Sequence, residues 1–204
     1  MNEKDQALED LKIIKTMINR TKEAIDPAAP ILILWGILVF IGNTITHFLL
    51  SDEIYHIYIG YTWIGIPVIG IILSGIMGYR IGLRRFKHGI NYYASRKLAL
   101  IWTILIPIGI VWSILGPYTK IFPQESLSVF WALLYSIGIY IMGIFYSKEF
   151  LFGGIVIFLG TVFSVIFYDF HCLIIGIFMG AGTTIPAVIA HKRFRKMLRE
   201  TDEG

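Results

Sequence analysis

The sequence predicts an all-α membrane protein in which six transmembrane helices form three tandem helical hairpins, preceded by a cytoplasmic amphipathic helix. Three observations predict it. Hydrophobic side chains make up 56% of the 204 residues and charged ones only 16%, with a mean hydropathy of +0.70, whereas soluble chains are about a quarter charged. After residue 30, apolar runs of about 20 residues recur almost without a break, each long enough to cross a hydrocarbon layer of about 30 Å. The connections between these runs alternate between basic-rich and basic-poor, the pattern that orients a chain with its basic loops in the cytoplasm.

Residues 3–25 come first, a polar stretch in which Ala7, Leu11, Ile14, Ile18, Thr21 and Ile25 recur at three- and four-residue spacing and make a narrow apolar stripe on one helical face. Lysines flank the stripe, as suits a helix lying among lipid headgroups. The same face also suits docking to a protein partner or homodimerisation, and its register is too short to specify a coiled coil. Asp26 followed by Pro27 has the form of an N-cap and first-turn proline, so the arm, 1–26, is expected to be a helix separate from the membrane domain, 27–191. The first 28 residues contain no apolar stretch followed by a small-residue cleavage site, and the first span is expected to serve as the targeting signal.

The spans are expected near 30–50, 57–79, 98–117, 127–147, 150–168 and 172–190, followed by a basic and then acidic tail, 192–204. Before the first span lie five basic residues, between the second and third six, from Arg80 to Lys97, and after the last another five, from Lys192 to Arg199. With Lys148, these place seventeen of the eighteen lysines and arginines on one side, and only Lys120 falls opposite. That side is therefore cytoplasmic, as are both termini, in a plasma membrane. Trp35 and Trp102 then fall near the inner boundary, and Trp63, Trp112 and Trp131 in the outer part of their spans, consistent with the interfacial preference of indole rings. The net charge of +4 is accounted for by basic flanks against anionic headgroups and requires no nucleic acid.

An internal repeat is suggested by Trp35–Gly42 (WGILVFIG), Trp102–Gly109 (WTILIPIG) and Gly153–Gly160 (GGIVIFLG), each opening an odd-numbered span. The even-numbered spans align poorly with one another. Small residues recur every fourth position at Gly70, Ser74, Gly78 and Gly82 and at Gly176, Gly180 and Thr184, making smooth faces for helix packing within the chain or, as the alternative, for a homodimer contact. Pro67, Pro107 and Pro186 are expected to kink or loosen their helices.

No ionisable residue falls in the middle of a span, which weighs against ion-coupled transport, since intramembrane charges are retained where they are used. No HExxH, GxSxG, paired mid-membrane aspartates or phosphate-cradling glycine loop is present, so neither an enzyme nor a cofactor is expected. Cys172 is the single cysteine, which excludes an intrachain disulfide. One polar constellation remains on the outer side: His47, Asp52, Glu53 and His56 about the first outer loop, and Asp169, His171 and Cys172 at the third. If the fold joins the two loops, imidazole, carboxylate and thiolate groups from His47, Asp52, His56, Asp169, His171 and Cys172 could bind zinc or copper, or the histidines could respond to external pH. Alternatively these are solvated interfacial residues, since their spacing matches no defined metal motif.

The opening LEDLKIIKTMINRTK, with the span beginning ILILWGILVFIG, resembles the start of uncharacterised six-span prokaryotic membrane proteins often encoded beside winged-helix regulators. The resemblance covers about the first 45 residues and defines no site residue. In architecture, three hairpins of six spans are also similar to HdeD-like acid-stress proteins, a likeness of fold that does not establish function. The expected role is a non-enzymatic membrane module, stress-related or sensory, that binds a protein partner or small ligand. The alternative is a transporter or channel subunit for a small uncharged or lipophilic substrate, with a midplane cavity lined by residues such as Asn43, Thr103 and Thr184.

Overall fold

In the computed structural model of the chain, the described residues are 29–50, 53–86, 93–123, 126–145 and 147–202, together with Gln6, Glu9 and Leu11, which are helical and exposed. The rest of the arm at 3–25 and its cap at Asp26 lie outside the described residues. Six long helices follow in order: α1 (Ala29–Leu49), α2 (His56–Phe86), α3 (Tyr93–Tyr118), α4 (Leu127–Phe145), α5 (Lys148–Ile166) and α6 (His171–Asp202). Short 3-10 turns, Glu53–Tyr55 and Tyr168–Phe170, lead into α2 and α6. Among the described residues there is no strand, and all six helices are long and apolar enough to cross a membrane.

The apolar runs end where charge begins, but the helices need not. α2 continues through Arg80, Arg84 and Arg85 to Phe86, and α6 continues through the basic tail to Asp202, because arginine and lysine are good helix formers whether lipid or water surrounds them. The segment expected as a tail from 192 is therefore the same helix as the last apolar run. The helices also run unbroken through Pro67, Pro107 and Pro186.

Among the described residues, packing runs in a row rather than a closed ring. α1 packs on α6, α6 on α5, and α5 on α4, while α2 lies against α1 and α3 against α4 at the two ends. α4 also touches α6. Glycines permit the central seams: a Cβ at Gly153 would run into the Gly182 carbonyl of α6, one at Gly143 into the Leu151 backbone of α5, and one at Gly180 would stand 2.9 Å from Phe40 Cβ of α1. The expected small-residue faces divide accordingly. Gly176, Gly180 and Thr184 meet α1, and Gly70 and Ser74 meet Trp35, whereas Gly78 faces open space.

Two tryptophan clamps fasten the outlying helices. The Trp63 ring of α2 approaches Gly42 of α1 and its indole nitrogen donates to Thr46 Oγ1 at 3.0 Å; the Trp131 ring of α4 covers Gly109 of α3 and donates to Ser113 Oγ at 2.9 Å. At the opposite end of the same helix pairs, Trp35 lies over Gly70 and donates to Ser74 Oγ at 3.0 Å, and Trp102 lies over Gly138.

Candidate functional site

The chain turns sharply between α5 and α6, and the turn is closed by polar contacts from the first two residues of α6. His171 Nδ1 lies 2.6 Å from the Tyr168 carbonyl and Cys172 Sγ lies 3.2 Å from His171 Nε2. The carbonyl can only accept, so Nδ1 carries the proton and Nε2 is left to accept from the thiol. The Tyr168 ring stacks on the imidazole with centroids 4.7 Å apart. Both side chains are buried, while Asp169 is exposed.

The connection from α1 reaches this turn because α1 packs along α6. His47, in the last turn of α1, stands with its ring 5.7 Å from that of Phe170, so the end of the first helix and the α5–α6 turn do come together. Asp52 and the side chain of His56 lie outside the described residues. Among the described residues no three histidine, cysteine, aspartate or glutamate side chains gather closely enough to hold a metal ion. His171 and Cys172 alone offer one nitrogen and one sulfur, fewer than the three or four protein ligands of the usual zinc sites. As arranged, the pair secures the turn. It could serve a soft cation only by releasing the thiol proton and recruiting ligands from elsewhere.

Tyr55 of the 3-10 turn and Tyr58 and Tyr61 of α2 form a ladder, with centroids 6.2 and 6.4 Å apart, over a shallow hollow bounded by Ile45 and Leu49 of α1. Three-residue spacing puts these rings on one side of the helix.

Most buried polar side chains within the bundle bond to their own helices, while the buried Ser128 Oγ of α4 has no hydrogen-bond partner. Thr46 donates to the Gly42 carbonyl, Thr161 to Ile157, Ser164 to Thr161 and Thr183 to Met179, at 2.7 to 2.8 Å, and Asn43 Nδ2 donates to the Val39 carbonyl at 2.9 Å. One cross-helix contact joins Thr183 of α6 to the Tyr135 hydroxyl of α4 at 3.2 Å. Asn43 and Thr184 both lie in the α1–α6 seam, where Asn43 meets Gly176 and Thr184 meets Gly36. Thr103 is on an exposed side of α3, whose packed partner is α4. These three residues do not converge on one cavity.

No family model, no curated protein and no solved structure matches this chain. The inter-helix contacts of Trp63 and Trp131 had a partial signal in the sequence: Trp63–Gly70 and Trp131–Gly138 share one seven-residue spacing, as do Trp35–Gly42 and Trp102–Gly109. Tyr135 had none, because its partner Thr183 is 48 positions away.

Proposed function

We propose that the chain is a non-enzymatic, six-span module of the plasma membrane, built as three tandem hairpins with both termini cytoplasmic, that acts by binding a protein partner or small ligand. The reading is supported above all by the central seams. Where α1, α6, α5 and α4 meet, backbones approach through paired glycines such as Gly153 and Gly182, and the buried hydroxyls are spent on carbonyls of their own helices. Such a core is packed for support, with its polar groups satisfied locally rather than presented to a permeant molecule. On this reading the amphipathic stretch at 3–25 is cytoplasmic and serves either as a headgroup-bound helix or as a second place for a partner. In the sensory version, the stimulus, a proton or metal ion, acts at the outer end, where His47 and His171 flank the α5–α6 turn.

Water accessibility tests this against transport. Cysteines placed singly at Asn43, Thr161 and Thr183 in membranes are expected to resist a membrane-impermeant, water-borne maleimide applied to either side. Labelling of two or more of them would mean a hydrated path through the bundle and would replace the module with a transporter or channel subunit.

A further inference from the structure

The three helix pairs are built on one pattern. Trp35, Gly42 and Thr46 of α1 match Trp102, Gly109 and Ser113 of α3 and Gly153, Gly160 and Ser164 of α5, at identical spacings. In each pair an aromatic ring of the second helix approaches or covers the middle glycine: Trp63 on Gly42, Trp131 on Gly109 and Phe178 on Gly160. These rings fix the equivalences along α2, α4 and α6.

Equivalent positions have unequal surroundings. One and five residues beyond the ring, α4 carries Ala132 and Ser136 and α6 carries Met179 and Thr183, of which the most exposed, Met179, is 5% exposed. The matching residues of α2, Ile64 and Val68, are 66% and 49% exposed. Likewise Val39 and Asn43 of α1 and Ile157 and Thr161 of α5 are buried, whereas their equivalents in α3, Ile106 and Ile110, are 45% and 51% exposed. The cause lies in the seams between pairs. The first helix of one pair packs on the second helix of another at α1–α6 and again at α5–α4; the third such seam, α3 on α2, is not a packed interface among the described residues.

We propose that a second copy of the chain closes this seam, with α2 of each copy packed on α3 of the other about a two-fold axis along the membrane normal. A two-fold arrangement satisfies both open faces at once and leaves no unpaired end. The occupant is named by the molecule itself, since at both closed seams the equivalent faces are covered by helices of this same repeat. Glycines on α2 support protein rather than lipid as the cover. Gly65 and Gly75 have no atom placed to meet a Cβ within 4 Å, yet their equivalents, Gly180 and Gly143, lie against Phe40 of α1 and the Leu151 backbone of α5 at the α1–α6 and α4–α5 seams. Glycine weakens a helix interior unless a neighbouring backbone uses the space.

The proposal rests on the six-span reading, and one experiment separates the two. Differently tagged full-length copies, one carrying Val68→Cys and the other Ile106→Cys, are co-expressed and treated in isolated membranes with a bismaleimide; the unsubstituted chain, with Cys172 alone, sets the background. The expected result is a mixed dimer several-fold above either variant expressed by itself, reduced at least several-fold by adding Gly65→Leu. Linkage found only within a single chain carrying both cysteines would mean that the ring closes on itself. Equal linkage in each variant alone, or none in any pairing, would equally overturn the proposal. Each of these leaves the membrane reading intact, which fails instead if alkaline washing releases the protein from the membranes.

Discussion

The indole of Trp63 does two jobs at one place: its ring packs beside Gly42, and its N–H finds Thr46 Oγ1, whose own proton goes to the Gly42 carbonyl. Trp131 repeats this with Gly109 and Ser113, whose proton likewise goes to its own helix. In apolar surroundings an inter-helix bond of this kind contributes about 0.6 kcal/mol on average, since the separated helices also find partners. Trp63→Phe and Trp131→Phe should therefore each lower stability by about 0.5 to 1 kcal/mol, and a double-mutant cycle of Trp63→Phe with Thr46→Val should return a coupling of that size in a detergent unfolding assay. A coupling of zero would show that the ring alone matters. Glycine positions divide more sharply. Gly153→Leu drives side-chain atoms into the Gly182 carbonyl and Pro186, and overpacking of this kind costs about 1 to 3 kcal/mol or more. Gly78→Ala meets open space on its own chain and should leave stability unchanged or raise it by up to about 1 kcal/mol. Parallel thermal denaturation of the two variants checks the contrast.

At the scale of elements, α3 ends in a way its sequence does not advertise. The Ile121 amide donates to the Gly116 carbonyl and the Lys120 amide to that of Pro117, a Schellman closure with Lys120 at the left-handed position, φ 58°. Glycine is the residue usual at that position, because a Cβ in the left-handed region costs about 1 kcal/mol or more. Lys120→Gly should therefore stabilise the α3–α4 connection by about 1 kcal/mol, read as a rise in midpoint temperature; a fall would mean that the lysine head or stem contributes more than the strain. The helices themselves were legible because length and apolarity are local properties: the expected 127–147 and 150–168 became Leu127–Phe145 and Lys148–Ile166. Their ends were less so, since hydropathy marks where charge begins and α2 carries its arginines on without a break. The repeat was visible in the odd helices through Trp35 and Trp102. In the even ones it was hidden, because Trp63–Gly70 and Trp131–Gly138 match in spacing and contact but not in the residues between.

For the whole molecule, what could not be read was which helix meets which. The α1–α6 seam joins the two ends of the apolar region through Gly36, Gly176 and Gly180, and no local pattern singles out that partner from the four others. The same seam brings His47 to Phe170 beside the His171–Cys172 pair, an approach that spacing along the chain does not give. Orientation, by contrast, is expected from charge summed over loops, with no need of the fold. On the expected topology the α3–α4 turn, with one basic residue, Lys120, lies across the membrane from the α4–α5 connection at Ser147, on whose side the charge count assigns the other seventeen. In sealed cells, a cysteine at position 120 should be labelled by an impermeant maleimide added outside, while one at Ser147 or Lys192 should be labelled only after the membrane is opened. The alternation tests the six crossings and the sign tests the charge rule. A reversed sign with the alternation kept would leave the fold standing and move the His47–His171 end to the cytoplasm, where an external proton or metal could not reach it.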